Sequence, residues 1–176
     1  MTPAGDVIEN PAGLMRLRVL RGASDTNGEL LEMEATYEPG SVEPLVHFHP
    51  RQDEHFEVVS GSIRAHVGRD ERALGAGDVL DVPAGTAHAM WNDGEGDANV
   101  LWQTRPALRS EDFFRTVGAL AEQGKLTSKG PRNPLVGASL LYRFRDEFRL
   151  AHLPRLVQLV ALPPLAGLAR LLGQSV

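Results

Sequence analysis

Residues 40–61, GSVEPLVHFHPRQDEHFEVVSG, and residues 77–92, GDVLDVPAGTAHAMWN, decide how this chain folds. The first stretch carries His47, His49 and Glu54, and the second carries His88. His47 and His49 are two positions apart, so on a strand both side chains leave the same face. Glu54 lies at an odd offset from His49 and reaches that face only if residues 50–53 contain a turn or bulge, which Pro50 favours. His88 follows Pro83-Ala84-Gly85-Thr86, a turn signature that ends one strand and starts the next. Three imidazoles and one carboxylate make a mixed nitrogen and oxygen donor set for one divalent transition metal, and Fe, Mn, Ni, Cu and Zn all suit it.

Outward from these motifs the pattern stays extended. Short segments near 54–60, 62–68, 71–74, 78–82, 87–92 and 98–104 are separated by Gly, Asp or Pro, the rhythm of a sandwich or barrel. Upstream, Met15, Leu17 and Val19 alternate with Arg16, Arg18 and Leu20. Leu31, Met33, Ala35 and Tyr37 alternate with Glu32, Glu34 and Thr36, which predicts a strand with one wet face. Residues 1–13, rich in Pro, Gly, Asp and Asn, are expected to form a flexible leader.

The two motifs resemble those of the cupin superfamily, G-x5-HxH-x3,4-E-x6-G and G-x5-PxG-x2-H-x3-N. Gly77, Pro83, Gly85, His88 and Asn92 fit the second at every spacing. His47, His49, Glu54 and Gly61 fit the first, with one residue too many between Gly40 and His47. The resemblance covers residues 12–106. It implies an all-β core, a double-stranded β-helix (jelly-roll) barrel over 14–106, with the metal inside it on His47, His49, Glu54 and His88. A homodimer is the association it implies. His55, His66 and His152 are expected outside the site, His55 because strand alternation turns it away from Glu54.

After Pro106 the pattern changes to helices, and 107–176 reads as a helical extension packing on the barrel or on a dimer partner. Ser110 is expected as an N-cap, with Glu111 and Asp112 in the first turn, and Phe113, Phe114, Val117, Leu120 and Ala121 recur at helical spacing up to Gly124. Asn133-Pro134 predicts a second helix over 134–150. The last segment, LPRLVQLVALPPLAGLARLLGQSV, predicts two short helices broken at Pro163-Pro164, too interrupted for a membrane span. Its apolar residues, Leu156, Leu159, Val160 and Leu162 among them, are expected to be covered by the barrel or a second subunit. A membrane-surface anchor is disfavoured because few basic residues line it.

Composition narrows the function. With 42% hydrophobic and 23% charged residues the chain has the make-up of a soluble globular protein. A net charge of −5 and no long Lys/Arg run disfavour nucleic acid as a partner. The chain has no cysteine, which excludes disulfides and thiolate chemistry and fits a cytoplasmic protein without a visible secretory signal. Phe56, Val58, Met90 and Trp102 near the ligands suggest a pocket for an apolar, aromatic or polyketide-like small molecule. The expected activity is a metal-dependent, dioxygenase-like oxidoreductase, with Glu54 as a possible base besides ligating. The alternatives are a non-redox isomerase or cyclase on the same Lewis acid, or a cupin that senses a ligand without catalysis.

Overall fold

Alternation of side chains sets the two walls of the barrel. The computed structural model describes residues 5–41 and 43–176; the first four residues of the expected leader lie outside the described residues. Ten strands come first: β1 (Val7–Asn10), β2 (Met15–Arg21), β3 (Leu31–Tyr37), β4 (His47–Phe48), β5 (Asp53–Ser60), β6 (Ser62–Val67), β7 (Asp70–Gly75), β8 (Val79–Val82), β9 (His88–Trp91) and β10 (Ala98–Arg105). They are followed by α1 (Ser110–Glu122), β11 (Leu126–Thr127), β12 (Gly130–Pro131), α2 (Pro134–Arg143), β13 (Arg149–Leu150), α3 (Arg155–Val160) and α4 (Leu162–Leu171).

One sheet runs β1-β2-β3-β10-β5-β8 and the other β13-β4-β9-β6-β7, with every pairing antiparallel. The chain thus forms a double-stranded β-helix with helices after it. Leu31, Met33, Ala35 and Tyr37 of β3 are buried, and the residues between them only half so, as the alternation predicts. They join Leu17, Val19, Phe56, Val58, Ile63, Leu80, Val100 and Trp102 in one core between the sheets. Gly61 turns β5 into β6 with φ +77°, and a Cβ there would lie 2.5 Å from the Asp97 carbonyl oxygen. Only glycine fits that corner.

Four features differ from the sequence reading. Part of the expected leader is strand: Val7–Asn10 pair with β2, because Ile8 reaches the barrel core. The helix expected over 134–150 stops at Arg143. There Phe144 turns into the core against Phe113, and the chain goes on to lay β13 along β4. Ser110 does not cap α1; its hydroxyl accepts a hydrogen bond from Gln52 Nε2 at 2.7 Å instead. In α3 no residue is buried, and Leu156, Leu159 and Val160 stay exposed, since six residues after Pro154 stand clear of the barrel. Other expectations match: Asn133 caps α2 by accepting from Leu135 N, and Leu162 is buried in α4. Among the described residues no helix is long and apolar enough to cross a membrane.

Candidate metal centre

Register brings the two motifs together. His47 on β4 stands directly opposite His88 on β9, and His49 follows immediately after β4. The His49 carbonyl accepts from Gly85 N at 2.8 Å, which pins the Pro83–Thr86 turn beside it. Residues 50–51 bend, and Glu54 returns to the inner face on β5, so the odd offset is absorbed where Pro50 stands. His55 points outward to Asp81 and His66 to Glu43, both exposed pairs. Asn92 is structural: its Nδ2 donates to Tyr37 O and Gly96 O, and its Oδ1 accepts from Gly94 N.

The histidines His47, His49 and His88 offer ligand atoms all within 4.8 Å of one another, a group that could hold a metal ion. Their second ring nitrogens are all committed. Nδ1 of His47 donates to Leu45 O at 3.0 Å, that of His49 to Glu147 O at 2.6 Å, and that of His88 to Thr86 O at 3.0 Å. A carbonyl can only accept, so each neutral ring carries its proton on Nδ1 and presents a bare lone pair at Nε2. Glu54 is arranged the same way. Its Oε1 accepts from Trp102 Nε1 at 3.0 Å, while Oε2 lies 2.9 Å from His88 Nε2 and 3.3 Å from His49 Nε2.

Those two approaches lack hydrogen-bond alignment, and His49 Nε2 and Glu54 Oε2 are buried atoms without a hydrogen-bond partner. Buried lone pairs facing one another are unfavourable unless a cation or a proton sits among them. The residues therefore fit a divalent ion, with carbonyl and indole groups orienting the donors from behind. Burial and charge act on the donors in different directions. Burial, then the neighbouring His88 and His49, drives His47 down to about 3. Burial pushes Glu54 up, but the three imidazoles outweigh it and hold the carboxyl at about 2. Burial disfavours protonated His88, yet Glu54 beside it wins and the shift is upward.

A cavity of about 240 Å³ opens over these donors. Phe56, Met90 and Trp102 line it as expected; Val58 does not, because it lies further along β5 in the packed core. Seven of the rings that line it form a closed circuit. Phe148 stacks on His47 at 4.6 Å and on Phe113 at 4.9 Å; Phe113 meets Phe114 at 5.6 Å, and Phe114 meets Trp102 at 5.0 Å. Trp102 then meets Phe56 at 5.2 Å, Phe56 meets His88 at 6.5 Å, and His88 returns to His47 at 4.6 Å. Among the described residues, no Lys, Arg, Asp or Glu lines the cavity. Half of its wall comes from the extension: α1, the β11–β12 hairpin, α2 and Phe148. Phe148 and the Glu147 carbonyl are among the parts of the site that sequence reasoning missed, with the Leu45 and Thr86 carbonyls and the cavity wall from Tyr37 and the helices. For Phe148 the aromatic residues of RFRDEFR were the only visible signal.

Residues 33–104 match the family model of the cupin domain. That part of the chain is a cupin domain, and the fold is the cupin fold. Among solved structures it is similar to KdgF from Halomonas sp., at 21% identity over 60% of this chain and 90% of that one, with a TM-score of 0.51. It is similar to an RmlC-like cupin from Shewanella frigidimarina NCIMB 400 at 25% identity, 59% and 86% coverage and a TM-score of 0.51. A predicted oxalate decarboxylase from Thermotoga maritima aligns at 22% identity, 52% and 80% coverage and a TM-score of 0.50. No curated protein matches the chain significantly.

Proposed function

We propose that this cupin is a metal-dependent enzyme acting on an uncharged aromatic or polyketide-like small molecule, by dioxygenation. The observation that supports it is the closed circuit of rings that lines the cavity and includes two of the four candidate donors, His47 and His88. Flat faces on several sides of a small cavity suit a flat apolar ligand, since offset and edge-on ring pairs each contribute about 0.5–1.5 kcal/mol. A sugar phosphate or a dicarboxylate would enter a wall without a single cationic side chain to meet it, at a large desolvation cost.

His47, His49, Glu54 and His88 would hold the ion. A divalent transition metal bound there would polarise an enol or phenol oxygen and, when redox-active, also bind dioxygen. The chain's own groups then have distinct parts. Glu54, held near 2, is better suited to ligation than to taking a proton at neutral pH. Tyr37 lines the cavity, and burial, then the charge of Glu54, keeps its hydroxyl protonated. It is available to donate a hydrogen bond to a substrate oxygen. Phe113, Phe114 and Phe148 exclude water from above.

Elemental analysis of purified protein, followed by oxygen uptake with a panel of enols and phenols after reloading with Fe(II), Mn(II) or Zn(II), tests the reading. Turnover with Fe(II) or Mn(II) and none with Zn(II) is expected. Full turnover with Zn(II) and no oxygen uptake would replace dioxygenation by isomerisation or cyclisation on the same centre.

A further inference from the structure

The C-terminal helices leave large apolar side chains in water. Leu156 and Val160 of α3 are 71% and 64% exposed, and Leu168, Leu171 and Leu172 at the end of α4 are 44%, 86% and 57% exposed. This is not a loose tail. Leu162 and Ala169 on the opposite face of α4 are buried, α4 packs along α2, and Gln158 of α3 donates to Leu150 O at 3.1 Å and Leu153 O at 2.8 Å. The fold therefore holds these side chains outward, an unusual density of large exposed apolar residues for one short segment.

Charge indicates what covers the face. Residues 148–176 contain Arg149, Arg155 and Arg170 and no Asp or Glu, in a chain whose net charge is −5. Arg155 and Arg170 are exposed, and among the described residues neither makes an ion pair. A second copy packed by two-fold symmetry would set arginines near arginines with no acid in this segment to meet them. An anionic bilayer fits both halves of the pattern: arginines at the headgroups, leucines below them, and an acidic body held away. The basic count alone argues against this partner; the fold shifts that balance by leaving the leucines uncovered on a segment that carries no acid.

We infer that α3 and α4 dock this protein on an anionic lipid surface, lying in the interface without crossing it. Helices of six and ten residues are far too short to span. The face is also close to the cavity. Leu150, whose carbonyl anchors Gln158, pairs with His47 and lines the cavity wall. An apolar substrate dissolved in the bilayer would then enter beside the docked face; that consequence rests on the proposed function, whereas docking does not.

Co-sedimentation of the full-length, metal-loaded protein with vesicles tests docking without any substrate. Binding is expected to phosphatidylcholine vesicles containing about one third phosphatidylglycerol, and to weaken as salt rises. Pure phosphatidylcholine should bind at least about tenfold more weakly. The double variants Leu156→Asp/Leu171→Asp and Arg155→Gln/Arg170→Gln should each lose about tenfold or more, with melting temperature and metal content unchanged. Wild-type protein that stays in the supernatant, or variants that bind as it does, would overturn the inference. So would a dimer in light scattering that the leucine variant splits, because a second copy would then be the cover.

Discussion

The indole Nε1 of Trp102 donates to Glu54 Oε1 at 3.0 Å, and the Glu54 oxygen it leaves free is the one that faces the histidines. Trp102 thus orients the Glu54 carboxylate and lines the cavity at once. Trp102→Phe keeps the ring and removes the donor, leaving a buried carboxylate oxygen unpartnered. Metal affinity is expected to fall about 10–100-fold. Competition with a chelator of known affinity measures it; unchanged affinity would show that the indole only fills space.

Loss of a ligand should be felt in stability as well as in occupancy. His88→Ala should lower metal content by elemental analysis and melting temperature together. An ion present at a hundredfold its dissociation constant stabilises the folded state by about 2.7 kcal/mol. Unchanged stoichiometry would remove His88 from the ligand set.

Acid should destabilise the metal-free protein below pH 6.5. Burial, then His88 and His49, keeps His47 at about 3 in the folded state against 6.5 unfolded. Glu54 stands at about 2 against 4.5, burial being outweighed by the imidazoles. Across both windows the unfolded chain binds more protons, so stability falls as pH falls. His88 has the opposite sign: raised by Glu54 against burial, it contributes stability that is complete below pH 6.5 and is lost as pH rises through its folded value. Thermal melts of chelator-treated protein between pH 8 and pH 4 check the sum. A melting temperature that holds level or climbs below pH 6.5 contradicts it.

Gly118 sits inside α1, where alanine would ordinarily gain about 1 kcal/mol of helix propensity. Here a Cβ would lie 2.6 Å from the Glu9 carbonyl oxygen and 3.0 Å from Ile8 Cγ2. Backbone cannot yield as a flexible side chain does, so Gly118→Ala should destabilise by about 1–3 kcal/mol. Urea denaturation reads the sign directly, and a gain would mean β1 is free to move off the helix.

Phe148→Ala should break the ring circuit at His47. A loss of about 1–3 kcal/mol is expected, with weaker binding of aromatic ligands and little change in metal content. If metal content collapses as well, the stack on His47 positions the ligand and does more than wall the cavity.

The barrel was readable because its signals are local. Leu31 to Tyr37 alternate, Gly61 and Gly85 mark turns, and four ligand-type residues stand at motif spacing. What stayed hidden is long-range or carries no side-chain signature. Leu45, Thr86 and Glu147 aim the histidines through backbone carbonyls, which any residue provides. β1 has a single buried residue, Ile8, too little for a pattern to register. Ser110 has the chemistry of a cap, but Gln52, brought from the barrel, takes its hydroxyl. Helical spacing ran on through Phe144, where tertiary packing of that ring ended the helix.

The hydrogen bond from His49 to the Glu147 carbonyl spans ninety-eight positions of chain. During synthesis from the N-terminus, all four donor residues leave the ribosome well before residue 147 does. The imidazoles of a nascent chain are then only half oriented, and the ring of His49 is locked once residue 147 has emerged. The last component of the centre to be made is not a ligand. It is the peptide group of residue 147 that aims one, so the geometry of the candidate site is completed well after the motifs have appeared.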